Sequence, residues 1–264
     1  MIGANDAAVV RDIYAIVGED GSRDTAIEDL LLKGVDGAFC GVRELLVAHQ
    51  EVRYWQWRDL SRFLALQIAR TPRQFQSIRD EYASFGVNAD QNDPQKAMVL
   101  AAPRLENWIC WMEWAICRNE SDFPFLTSDN PVVFWVDRGK GAEGGVGFAE
   151  PALQIFFPVS PRLCFTARHS QTSCSAALAD PANREASFLQ EFDLNIVEGK
   201  LDATQVKRAN LLMVGNADKC VYSNSNDEAL GRFLKRRFIG RIAPVRRRDR
   251  CPFGSPIQSL RDQP

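Results

Sequence analysis

Phe123-Pro-Phe-Leu-Thr-Ser-Asp-Asn-Pro-Val-Val-Phe-Trp-Val136 is the stretch on which the fold reading turns. Two short aromatic and β-branched runs flank Ser128-Asp-Asn-Pro131. Asp and Asn side chains bond their own backbone in turns, and Pro fixes φ while withholding an N–H. The pattern predicts strand, turn, strand.

Upstream, the periodicity is helical. Ile27, Leu30, Leu31, Val35, Phe39, Val42, Leu45 and Leu46 recur at helical spacing, with Thr25 and Glu28 spaced as a capping box. A helix over about 52–70 would bury Trp55, Phe63, Leu64 and Ile68. Thr71-Pro72 opens another, with Gln74 completing its box. Asp93-Pro94 opens a helix predicted to reach Arg118, kinked or split at Pro103. Downstream, Leu153–Phe157 and Leu163–Ala167 read as paired strands around Pro158-Val-Ser-Pro161. Helices are predicted from Asp180-Pro181, from Asp202 to about Val214, and near 227–235, with a last strand at Val221-Tyr-Ser223.

Helices first and mixed elements afterwards indicate an α+β fold. The expected architecture is a helical N-terminal half packed on a small, mainly antiparallel mixed sheet, with further C-terminal helices. Three segments are expected: a helical part, 1–118; a mixed part, 119–234, carrying the turn; and a basic tail, 235–264.

Of 264 residues, 45% are hydrophobic and 25% charged, the balance of a globular chain with a sizeable core. The net charge of -2 conceals an asymmetry. Eight basic residues and one acid between Lys235 and Arg250 give that stretch +7 and leave -9 elsewhere. Arg236, Arg237, Arg246, Arg247 and Arg248 are therefore candidates for holding an anionic partner such as nucleic acid; a solvated tail is the other reading. Seven scattered cysteines without Cys-x-x-Cys fit neither a disulfide framework nor a zinc ribbon, and point to a reducing compartment. Met1-Ile-Gly-Ala-Asn-Asp6 has no signal-peptide character, and no apolar run approaches the ~20 residues of a membrane span. The expected location is cytoplasmic, without membrane association.

Four stretches carry a resemblance. They are Phe63-Leu-Ala-Leu-Gln-Ile-Ala-Arg-Thr-Pro72; Trp114 to Val133; Ile155-Phe-Phe-Pro-Val-Ser-Pro-Arg162; and Val206-Lys-Arg-Ala-Asn210 running on to Cys220-Val-Tyr-Ser223. In combination they resemble the bacterial domain of unknown function 4238 family. The resemblance implies no reaction, substrate or cofactor. Members of that family begin with a His-Tyr-Val-Pro-Gln-like segment, and neither His49 nor His169 starts such a pattern here.

In the turn, Asp129 and Asn130 offer a carboxylate and an amide for metal binding or base catalysis. Equally, they can serve as a capped corner. Ser128, Gln67, Arg70 and Asn210 complete the candidate binding set. Gln67 and Arg70 share a helix face, and Arg70 is expected to meet Asp129 across the two parts of the molecule. Ser-Asp-Asn also occurs in serine β-lactamases, but Ser-x-x-Lys and Lys-Thr-Gly are missing, so that chemistry is excluded. The loop Gly139–Gly147 lacks a phosphate-binding pattern and reads as a connection. His169 reads as a surface residue. Glu106, Glu113 and Glu120 recur every seven residues, as solvated charges or as acids near Asp129. The tryptophan clusters read as core. No cofactor and no resident metal is indicated.

Two functions remain open. One is a binding or regulatory module of the kind linked to stress, defence or mobile elements. The other is a metal-dependent hydrolase acting on nucleic acid or a phosphoester through Asp129, Asn130 and Arg70.

Overall fold

The computed structural model describes residues 13–136, 148, 150, 152–169, 196–218 and 220–223. The glycine-rich loop, the helices expected at 180 and near 227–235, and the basic tail lie outside them.

A two-residue ladder, β1 (Ile16–Val17) with β2 (Arg23–Asp24), precedes a π-helical turn, Ile27–Leu32, that runs into α1 (Lys33–Val47). The expected Thr25–Glu28 box does not form. Asp24 accepts from Ala26 N at 2.8 Å, and Thr25 Oγ1 donates to Asp29 Oδ2 at 2.7 Å. Then follow α2 (Tyr54–Ala69), α3 (Pro72–Ser84) and α4 (Asp93–Cys110). Thr71 caps α3 by accepting from Gln74 N, with Pro72 in the first turn. Pro103 does not split α4, which is continuous through it.

The largest departure from the sequence reading comes next. α4 stops at Cys110, and Glu113–Asn119 is a strand, β3, not the last turns of a helix. Trp114 and Ile116 face one side of the sheet and Cys117 the other, which suits period-2 geometry. β3 lies between β7 (Leu163–Arg168), antiparallel to it, and β8 (Val197–Leu201), parallel to it. The whole sheet runs β5-β6-β7-β3-β8, with β5 as Val133–Val136 and β6 as Leu153–Ser160. β6 and β7 form the expected antiparallel pair, with a register shift between Pro158 and Ser160. β8 was not expected: Val-Glu-Gly-Lys-Leu alternates, but around a central glycine that weakens a strand, and Val197 is exposed.

One face of the sheet carries Trp114, Ile116, Leu153, Ile155, Phe157, Val159 and Phe165 against α1, α2 and α4. Phe39 and Phe63 stack at 3.8 Å, and Phe157 meets both edge-on at 5.8 and 5.7 Å. The other face, with Cys117, Val133, Phe156 and Cys164, packs on Phe125, Leu126 and α5 (Ala203–Asn216). Asp202 caps α5 through Thr204 N and Gln205 N, as its sequence predicts. Trp57 is the buried tryptophan of α2, whereas Trp55 is 56% exposed. Among the described residues no helix is long and apolar enough to cross a membrane.

Candidate functional site

The quoted stretch does not fold back on itself. Thr127–Ser128 forms β4, which pairs antiparallel with β9 (Val221–Tyr222), while β5 belongs to the five-stranded sheet. The turn is therefore a crossing point between two sheets. Strand chemistry predicts that a run will pair, and long-range packing selects the partner.

The polar side chains Ser128, Asp129 and Asn130 are each tied to the chain segment around the end of α5. Asp129 Oδ1 accepts from Asp218 N (2.9 Å) and Oδ2 from Cys220 N (3.1 Å), while its own N–H donates to Cys220 O (3.2 Å). Both carboxylate oxygens thus serve main-chain donors, charge-assisted bonds that hold the approach to β9. Asn130 Nδ2 donates to Asn216 O (3.2 Å), and Asn216 Nδ2 donates back to Asn130 O (3.0 Å) and to Val132 O (3.1 Å). This exchange gives a partner to a carbonyl at the C-terminus of α5, where intrahelical donors run out. Ser128 Oγ accepts from Asn130 N (3.2 Å), lies 2.9 Å from Asn130 O and contacts Met213 Sδ at 3.2 Å.

Two further asparagines hold the approach to the turn. Asn210, fully buried on α5, accepts from Leu126 N (2.9 Å) and donates to Pro124 O (2.8 Å), as a neighbouring strand would. Asn119, buried at the end of β3, accepts from Ser121 N (2.8 Å) and Ser121 Oγ (2.7 Å) and donates to Phe123 O and Pro161 O. Arg162 adds a bond to Ser121 O. Asn119 and Asn216 were missed from sequence. The available signal was an Asn ending an apolar strand and another ending an apolar helix, both typical of side chains that replace main-chain partners.

Arg70 does not meet Asp129. Its Nη1 lies 3.1 Å from Asp36 Oδ2 on α1, its carbonyl accepts from Tyr14 Oη at 3.2 Å, and its guanidinium sits 5.8 Å from the Phe63 ring centroid. Burial pushes the Tyr14 phenol up. Gln67 is half-buried on the same helix. The cation nearer the turn's partners is Arg73, whose Nη1 is 4.0 Å from Asp218 Oδ1. Arg70 therefore ties α1, α2 and the N-terminal segment together, while the turn belongs to α5 and β9.

The seven-residue recurrence of glutamates dissolves with the helix that generated it. Glu106 is buried on α4 between Arg58 and Arg62, Glu113 pairs with Arg168, and Glu120 pairs with Lys200. Among the described residues no group of three or more His, Cys, Asp or Glu is arranged to hold a metal ion. His169 is buried rather than superficial: its Nε2 is 2.7 Å from Phe148 O and its ring packs edge-on to Trp108. His49, at φ 57°, lies 3.0 Å from Arg118 Nη1. Arg236, Arg237, Arg246, Arg247 and Arg248 fall outside the described residues.

The arrangement fixes residues 124–132, the end of α5, and residues 218 and 220–222 as one polar knot at the edge of the sheet. A family model described as "Protein of unknown function (DUF4238)" matches residues 2–227. Comparison with curated proteins and with solved structures finds no match.

Proposed function

The chain belongs to the DUF4238 family, and from that premise we propose that it is a binding or regulatory module in which the Ser-Asp-Asn-Pro turn is a structural knot. The observation that carries this reading is the engagement of both Asp129 oxygens by the main-chain donors of Asp218 and Cys220. Two of the carboxylate's roughly four acceptor positions are given to main-chain donors, which supports its use as a clamp on the backbone of Asp218 and Cys220 rather than as a base or ligand. The Asn130 amide and carbonyl are likewise bound to Asn216, and Arg70 is held by Asp36. The three groups a hydrolase would combine thus lie in two separate hydrogen-bonded assemblies.

Asp129→Ala tests the reading. Losing a carboxylate that joins two main-chain donors is expected to cost about 1–2 kcal/mol in urea unfolding. Adding magnesium or manganese is expected to leave the melting temperature of the wild-type protein unchanged. Divalent-ion stabilisation that Asp129→Ala abolishes while the fold persists would overturn the proposal in favour of a metal-dependent hydrolase.

The partner's chemistry is proposed from charge. The +7 stretch between Lys235 and Arg250 suits a polyanion, with nucleic acid the first candidate. Binding to a DNA or RNA oligonucleotide should weaken steeply between low and physiological salt, and truncation before Lys235 should remove it. Binding that ignores salt, or survives truncation, would refute this assignment while leaving the account of the turn intact.

A further inference from the structure

The centre of the sheet holds a feature that the knot does not use. Cys117 on β3 and Cys164 on β7 stand directly opposite each other in the antiparallel ladder. On the other side of β3, the register partner of Cys117 is Gly199 of β8. A Cβ at position 199 would stand 2.9 Å from Cys117 Sγ, so glycine there leaves the sulfur its room. Thr166 Oγ1 is 4.0 Å from Cys117 Sγ. Both cysteines are free and lie on the face that packs against α5.

From this juxtaposition we propose that Cys117 and Cys164 are a reversible thiol modification site, which a low-molecular-weight disulfide converts to a cross-strand disulfide. Directly opposed residues in an antiparallel pair have Cα atoms about 4.5 or 5.5 Å apart, both within the roughly 4.4–6.8 Å that a disulfide spans. Opposed Cβ atoms in a ladder stand about 4.5–5.5 Å apart and a disulfide holds them at about 3.5–4.5 Å, so the bond needs side-chain rotation and a small approach of the two strands.

The order of events follows from exposure. Cys117 is 8% exposed and Cys164 is 0% exposed, so Cys117 meets the oxidant first. The Cys117 thiolate attacks one sulfur of oxidised glutathione, forming a mixed disulfide and expelling one glutathione thiolate. The Cys164 sulfur then displaces the second glutathione and closes the protein disulfide. The two cysteine protons pass to the two released glutathione thiolates, and the two electrons leave in those thiols. The local environment supports the same division. Hydrogen bonds from Cys164 and Thr166 bring the Cys117 thiol down to about 7, whereas burial pushes Cys164 up.

The experiment incubates the folded full-length chain with oxidised glutathione, blocks free thiols, digests without reduction and fragments the peptides by mass spectrometry. Wild-type protein should yield a peptide pair linked through Cys117 and Cys164, lost on adding dithiothreitol. Cys164→Ser should instead accumulate a glutathione adduct on Cys117, and Cys117→Ser should give no link to Cys164. Near-ultraviolet circular dichroism reports whether each variant keeps its packing. If exposed Cys40 is glutathionylated in folded wild-type protein while Cys117 and Cys164 both remain free thiols, the proposal fails. A link that forms only after the near-ultraviolet signal is lost overturns it equally.

Discussion

Asn210→Ala is expected to lower the free energy of unfolding by about 3 kcal/mol, as a drop in the urea midpoint at unchanged slope. Asn210 is 0% exposed, and its amide completes the hydrogen bonding of Leu126 N and Pro124 O, 84 and 86 residues away. Alanine removes both bonds without supplying water, so a donor and an acceptor are left unpaired in a site lined by Phe125, Leu126, Val206 and Met213. Leaving such groups unpaired costs more than the bonds contribute in net terms. Asn210→Asp should be no better, because a carboxylate offers no N–H to Pro124 O and brings a charge into the same buried place. A loss below about 1 kcal/mol for Asn210→Ala would mean that water replaces the amide. The clamp would then not be what holds 124–126 against α5.

Trp114→Ala should be costlier still, about 3–5 kcal/mol, the range for emptying a large aromatic site in a core. Trp114 is 2% exposed and stands where helices and sheet meet. Its ring lies edge-on to Trp57 at 5.9 Å and to Phe165 at 5.2 Å, and its Nε1 donates to Ile109 O at 2.7 Å near the end of α4. That last bond makes the residue part of the α4-to-β3 junction as well as of the core. Trp114→Phe keeps much of the ring volume but loses the N–H donor. It should therefore recover most of the loss; Ile109 O keeps its bond from Met112 N at 3.1 Å, and the loss that remains in Trp114→Phe measures what the indole N–H adds to the junction. Chemical unfolding followed by far-ultraviolet circular dichroism reads both.

The same residue explains where the sequence misled. Trp108, Met112 and Ile116 continue the apolar spacing of α4, so periodicity alone extends the helix to Arg118. The chain leaves it at Cys110 because Trp114 and Ile116 then face the helices while Cys117 faces α5, an arrangement that a strand between β7 and β8 provides. Nothing local in Glu-Trp-Ala-Ile-Cys announces those neighbours. β8 is the extreme case: its residues are mostly exposed, and its strand conformation comes from the edge offered by β3. The turn was legible as a turn, because Ser, Asp, Asn and Pro act on their own backbone. Its partners were not, since Asp218, Cys220 and Asn216 are some 86–91 residues further on.

By itself, the sequence determined the α+β class, the starts of α3 and α5, the β6–β7 pair, and the resemblance that the family match bears out. These depend on capping, proline geometry, alternation and motif spacing, which act over a few residues. The tertiary structure alone decided that β4 pairs with β9 rather than with β5, and that Arg70 serves Asp36. It alone also set Cys117 opposite Cys164 and bound Asp129 to the main chain. Each of those is a choice among partners distant in the chain. Local propensity is nearly indifferent to such choices, and burial of the two faces of one sheet fixes them together.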